Sequence, residues 1–123
     1  MNVPRAFREL IQAHDPEINC VLRMPIEYDQ MLPLAELLTV PCDALPETWE
    51  VAVHVRVTVY GRGLSEAFEA ANAVRTALNG PAVQTSQGLL DDVFPVQEPT
   101  EIGWPHESIV AVEAIYGAVY RVT

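Results

Sequence analysis

The sequence predicts an α+β fold: one domain, residues 1–123, with a mostly antiparallel or mixed β-sheet of about four strands and two helices, the main helix packed across one face. Three observations carry this. From Trp49 the odd positions read Trp49, Val51, Val53, Val55, Val57, Val59 while the even ones read Glu50, Ala52, His54, Arg56, Thr58, Tyr60, the period-two alternation of a strand with one buried face. Leu64, Ala67, Phe68, Ala71, Val74 and Leu78 then fall at helical spacing. From Ser108 the chain alternates again, with Val110, Val112, Ala114, Tyr116, Ala118, Tyr120 and Val122 on one face and Ile109, Glu113, Ile115, Val119 and Arg121 on the other. Apolar groups on both sides fit a central strand covered on both faces, or one face buried in a neighbouring subunit.

Element by element, Pro4 suits a first helical turn, and Phe7, Leu10 and Ile11 share one face of a short helix that fades at His14-Asp15-Pro16. Residues 18–23 read as a short strand stopped by Pro25. Residues 26–48 read as a long, partly ordered connection: Met31, Leu34, Leu37 and Leu38 suggest a helical turn, Pro33, Pro41 and Pro46 divide the stretch, and a short extended piece ends it near Leu38–Val40. After the 49–60 strand, Gly61-Arg62-Gly63 makes the turn, Ser65 is placed as N-cap and Glu66 suits the helix dipole. Asn79-Gly80-Pro81 closes the helix. A strand follows through Val93, Phe94 and Val96, then a proline-rich bend holding Pro95, Pro99, Trp104 and Pro105.

Charge excludes some partners. Seventeen acidic residues stand against seven basic ones, all arginine, for a formal net charge of -10, so a general affinity for nucleic acid or an anionic membrane is not expected. The N-terminal stretch lacks the apolar core of a signal peptide, and the run 109–120 is short for a bilayer and carries Glu113. Cys20 and Cys42 read as reduced, small hydrophobes, with a disulfide left open by spacing alone.

Catalytic signals are sparse. Gly61-Arg62-Gly63 lacks the third glycine and the Gly-Lys-Ser/Thr of phosphate loops, and Glu66 puts negative charge where phosphate would sit, so the glycines serve a sharp turn. His14, His54 and His106 are scattered without metal-ligand spacing, and the serines and cysteines lack nucleophile motifs. Asp91-Asp92 and Glu98 with Glu101 read as solvated loop carboxylates before they read as an acid–base pair. No cofactor is expected, and no enzyme.

The order of elements, with VAVHVRVTVYGRGLSEAFEAANAVRTALNG at 51–80 and a closing VAVEAIYGAVYRVT strand, resembles the tail terminator (tail completion) proteins of long-tailed bacteriophages. The helix in that family has the form Glu-Ala-x-x-x-Ala-x-x-Val-Arg-x-Ala-Leu, here Glu66-Ala67, Ala70, Val74-Arg75 and Ala77-Leu78, and its last strand ends in an aromatic and an arginine, here Tyr120-Arg121. The resemblance does not extend to residues 26–46. It implies a structural virion protein assembled in the host cytoplasm: a hexameric ring that caps the tail tube at the end nearest the head, stops polymerisation and offers the surface joined by the head-side connector protein. DNA passes its lumen without specific binding. The alternatives are another head–tail connector or tail-tube component and, from a different class, a small cytosolic ligand-binding domain or enzyme.

Two sets of residues follow for such a ring. His54, Arg56 and Thr58 on the even strand face are expected against a neighbouring subunit or another layer, with Arg121 as a further interface arginine, because a guanidinium fork holds a carboxylate with little ordering cost. A channel that lets DNA slide cannot be strongly basic, so Asp91, Asp92, Glu98 and Glu101 are candidates for its lining, against the plainer reading of rim charges.

Overall fold

A computed structural model describes residues 1–41 and 50–121, with the backbone alone at Glu50, Val51, Pro81 and Arg121. Helix α1 (Val3–His14) leads to strand β1 (Asn19–Val21), a single 3-10 turn (Tyr28–Gln30), β2 (Leu34–Val40), β3 (Glu50–Gly61), helix α2 (Leu64–Leu78), β4 (Gly80–Thr85), β5 (Gly88–Ile102) and β6 (Val110–Arg121). The six strands form one sheet in the order β1-β2-β3-β6-β5-β4, with β1 parallel to β2 and every other pair antiparallel. The α+β class and the helix across one face are as the periodicity predicts, but six strands replace about four.

The two extra strands have plain causes. Leu34-Ala35-Glu36-Leu37-Leu38-Thr39-Val40 is a proline-free run between Pro33 and Pro41, so those prolines bound a strand where a helical turn was expected. β2 pairs along its whole length with β3, from Leu34 opposite Tyr60 to Val40 opposite His54. The second extra strand, β4, starts directly at the end of α2. Asn79 takes an extended φ of -76° in place of a left-handed cap, and Gly80, at φ 157°, passes the chain straight into the strand. The β4–β5 hairpin closes at Ser86-Gln87, where Thr85 Oγ1 donates to the Gly88 carbonyl at 2.8 Å and accepts from the Gln87 N–H at 3.1 Å. Gly88, at φ 130°, occupies backbone space that only glycine takes readily.

The expected proline-rich bend is also strand. β5 runs through Pro95 and Pro99, with register shifts between Pro95 and Gln97 and between Gln97 and Thr100. β4 pairs with it only up to Val93, so both prolines fall where, among the described residues, no strand lies on the outer side and no ladder N–H is needed there. Only the connection 103–109 remains irregular.

One sheet face carries both helices and the main core. Val55, Val57 and Val59 of β3, Val112, Ala114, Tyr116 and Ala118 of β6, and Ala35 and Leu37 of β2 meet Phe7 and Ile11 of α1 and Ala67, Ala70, Ala71, Val74 and Leu78 of α2. The buried stripe of α2 is thus mainly alanine. Phe68, expected on the buried stripe with Ala71, Val74 and Leu78, is only half-buried at its margin, as is Val53, and Leu64 is exposed; the Val51 side chain lies outside the described atoms. Small side chains let the α2 backbone come close to the sheet, and a Cβ on Gly61 would stand 2.6 Å from the Ala67 amide nitrogen. The N-cap is Gly63, at φ 100° and with no side-chain bond, so Ser65, expected to cap, sits inside the first turn with Glu66.

Helix α1 is capped by Asn2, whose side-chain oxygen accepts from the Arg5 N–H. It packs against β1, β2 and β3 and also against β4, strands from both ends of the sheet, which therefore curls around it. At that far contact Glu9 accepts from Ser86 through its N–H at 3.0 Å and its hydroxyl. The same two bonds, the hydroxyl first, hold the Glu9 carboxyl below its ordinary pKa. A smaller cluster closes one end of the opposite face, with Leu32, Leu34, Tyr60, Ile109 and Ala111 buried under Met24, Tyr28, Met31 and Trp104. The Tyr60 and Trp104 rings stand edge to face with centroids 4.8 Å apart, and Tyr28 meets both.

Two predictions follow from this packing. Gly61→Ala forces the α2 backbone off the sheet and costs about 1–3 kcal/mol, read as a lowered melting temperature, whereas Gly103→Ala, with open space around the added methyl, leaves it unchanged. Burial pushes the Tyr60 and Tyr116 hydroxyls from 10.0 up to about 12. A raised folded pKa means that the stability contribution is intact below pH 10 and is lost as pH rises through 12. Tyrosinate absorbance should therefore show two late-titrating tyrosines, and unfolding should set in over that window in step with them.

Candidate assembly surface

The alternation that buries the odd residues of β3 under the helices puts its even residues on the other face. Cross-strand register then fixes the composition of that face. Glu36, Thr58, Glu113 and Thr100 form one row across β2, β3, β6 and β5; Leu38, Arg56, Ile115 and Gln97 form the next; Val40, His54, Gly117 and Phe94 the third; and Ala52, Val119 and Asp92 the last. Among the described residues no helix covers these rows. The face is apolar at its middle, with Leu38, Val40, Ile115 and Val119 all half-buried. Gly117 contributes by lacking a side chain: a Cβ there would stand 2.5 Å from two ring carbons of Phe94, so the phenyl ring lies over the glycine and flattens the surface.

Of the residues expected at a subunit interface, His54 and Arg56 lie half-buried on this face and Thr58 is buried between Glu36 and Glu113. Arg56, Glu36 and Glu113 all act on Tyr60, the arginine lowering its pKa and the carboxylates raising it, so one cation and two anions share the strip beside the aromatic cluster. The backbone of Arg121 pairs with Glu50 at the far end of the sheet, and its side chain lies outside the described atoms.

The four carboxylates expected at a channel lie in strand β5, not in loops. Asp91 is half-buried, while Asp92, Glu98 and Glu101 are exposed. Glu98 reaches across to α2, where its Oε2 lies 2.7 Å from Arg75 Nη1 and its Oε1 accepts from Nη2 at 3.2 Å. Asp92 sits opposite Val119, and Glu101 opposite Val112 beside Trp104. They are thus strung along one strand instead of gathered in one site.

Among the described residues no group of three or more His, Cys, Asp or Glu side chains converges on a point that could hold a metal ion. Cys20 is buried and desolvation pushes its thiol up to about 12, which makes it a poor nucleophile at neutral pH; Cys42 lies outside the described residues. No helix among those residues is long and apolar enough to cross a membrane. Among the described residues two open clefts lie beside Met1–Pro4, Thr39 and Val53, about 450 Å³, and beside Glu101–Trp104, Ile109 and Val110, about 340 Å³. Trp104 Nε1, at the second, is buried without a hydrogen-bond partner.

The apolar rows were hidden from sequence reasoning because they depend on β2, whose Leu38 and Val40 acquire their neighbours only once 34–40 is a strand. The signal was the spacing of Pro33 and Pro41. Phe94 over Gly117 had no local signal, since the pair is set by register between β5 and β6.

No family model matches the chain, and no curated protein matches it. Among solved structures it is similar to a chain of the virion of a native gene transfer agent particle, with a TM-score of 0.68 at 16% sequence identity, covering 98% of this chain and 95% of that one. At that identity the likeness is one of fold, and it runs from end to end of both chains.

Proposed function

We propose that the protein is a structural subunit of a phage-like virion that assembles as a ring, hexameric by the family resemblance, on the end of the tail tube nearest the head. It stops tail polymerisation there and presents the surface joined by the head-side connector, while DNA passes through its lumen. The observation that carries this reading is the end-to-end fold likeness to a gene transfer agent virion chain, with 98% and 95% of the two chains covered. A partial likeness would reflect a shared motif; a complete one in a chain with no gathered catalytic side chains among its described residues favours a shared structural role.

In this reading the uncovered sheet face meets a neighbouring subunit or another layer. Its apolar rows supply buried area, and Arg56, flanked on its own face by Glu36 and Glu113, supplies a bidentate donor for a carboxylate across the contact. His54 and Thr58 share that contact, with Arg121 at the sheet's far end. The carboxylates of β5 line the channel, where negative charge keeps the DNA backbone from being held. Glu98, already paired with Arg75, contributes least to that potential.

Electron microscopy of the purified protein mixed with tail tubes tests the role: one ring at one end of each tube is expected. A stack along the tube would identify a tube or connector component, and a monomer that ignores tubes would sink the structural reading. Within the ring, Arg56→Glu should weaken assembly by about 2–5 kcal/mol per contact with unchanged circular dichroism; unaltered ring formation would remove this face from the interface. Replacing Asp91, Asp92, Glu98 and Glu101 by Arg should make assembled rings retain DNA at low salt and release it as salt rises, and rings without salt-dependent retention would place β5 away from the channel.

A further inference from the structure

The sheet has one long open edge. β4 leaves β5 after the Gly80–Val93 pair. From there to Ile102, β5 keeps β6 on its inner side and, among the described residues, has no strand on its outer side. The stretch from Phe94 to Ile102 exceeds the roughly 5–6 residues of an ordinary strand. An edge of that length offers a row of backbone N–H and C=O groups with which another extended chain can pair, and an identical copy brings the same row. Val96, exposed on this stretch, adds apolar surface to it. The other margins offer less. β1, at the far side of the sheet, is three residues long, and β4 begins at Gly80-Pro81 and has α1 packed against it.

Proline stands twice in the open stretch, at 95 and 99. A proline nitrogen has no hydrogen to give, so a strand keeps its ladder at such a residue only when the ring nitrogen points away from the neighbour. Pro95 is in register with Tyr116, and its nitrogen therefore faces the open side. Pro99 falls within the second register shift and has no N–H to present on either side. Two donors that an added strand would use are thus missing. The shifts act in the same direction. Five steps along β5, from Pro95 to Thr100, match three along β6, from Tyr116 to Glu113, so the edge is bent and its outward groups lose the even spacing that pairing needs. Glu101, exposed on the same stretch, adds like-charge repulsion between two such edges.

From these features we infer that Pro95 and Pro99 close the open edge of β5 to strand addition by a second copy of this chain, so that copies associate without joining their sheets into one. A sheet continued from copy to copy by edge pairing has no built-in end, whereas contacts between other surfaces close into a ring when the rotation between copies allows. The consequence, a finite assembly, rests on the ring reading; the closed edge itself does not.

Sedimentation velocity and amide hydrogen exchange test this on the wild type and on the double variant Pro95→Thr, Pro99→Thr. Threonine restores both N–H groups and suits a strand. Pro95 is exposed and Pro99 half-buried, and circular dichroism checks that the variant folds; should the pair fail that check, Pro95→Thr alone carries the same comparison. The Thr variant should form species larger than any the wild type forms, at protein concentrations roughly ten-fold or more below those at which the wild type shows any such species. In those species the amides of 94–102 should exchange more slowly than in the wild type. A folded Thr variant that sediments like the wild type overturns the inference, as do larger species whose 94–102 amides exchange as fast as before. If the wild type forms no ring and the Thr variant still adds strands, the ring reading falls and the closed edge stands.

Discussion

The fold depends on how closely α2 lies on the sheet. Its backbone crosses the end of β3 at a distance that leaves no room for a Cβ on Gly61, and the residues it turns inward, Ala67, Ala70 and Ala71, are the ones that make that distance attainable. With larger side chains in those places the helix would ride higher and Val55, Val57 and Val59 would lose their cover. Glycine at 61 and alanines along one helix stripe are thus a single constraint written in two segments of sequence. Phe68 stands at the margin for the same reason, since a phenyl ring under the helix would lift it away.

A close helix layer on one side has a consequence for the other. Because α1 touches strands from both ends of the sheet and Glu9 fastens the β4–β5 turn to it through Ser86, the sheet curls with its helices inside. The outer face then has only the loops 22–33 and 103–109 to cover it among the described residues, and they reach no further than the rows beside Tyr60 and Ala111. Leu38, Ile115, Val119 and the Phe94 ring are left on a surface with few charges. A sheet face of this composition is what a subunit contact uses, apolar at its centre with an arginine to fix orientation.

How far the sequence revealed this can be judged residue by residue. The odd face of β3, the even face of β6 and the helical period of 64–78 are local patterns, legible because each residue's environment repeats within its own segment. β2 was misread because Met31, Leu34, Leu37 and Leu38 satisfy a helical spacing while the run 34–40 also suits a strand, and only pairing with β3 decides between them. β5 was misread because proline normally argues against a strand, and the condition that excuses Pro95 and Pro99, a missing neighbour on one side, is a property of the whole sheet. The candidate surface was half visible for the same reason. His54, Arg56 and Thr58 could be placed on a common face from β3 alone, while their partners in β2 and β5 belong to register. The carboxylates of β5 could be named as acidic but not placed, and the tie between Glu98 and Arg75 joins strand to helix across 23 residues of sequence.

The charge pattern bears on the same surface. With every cation an arginine and seventeen acidic residues against seven, identical copies repel one another at long range, and association has to be won at short range by apolar burial and a few geometrically exact pairs. Two of the described arginines are already engaged within the chain, Arg62 with Glu66 and the Leu32 carbonyl and Arg75 with Glu98. Both ties hold α2, one at its start and one near its end, so they serve the close helix layer. Arg56 instead sits on the outer face, in a row with Leu38 and Ile115. Glu36 and Glu113 flank it in the next row, and no short ion pair within the described residues holds it in place. In the contact proposed above it would mark one register as correct, because a guanidinium set against an aliphatic side chain would be left buried without a partner.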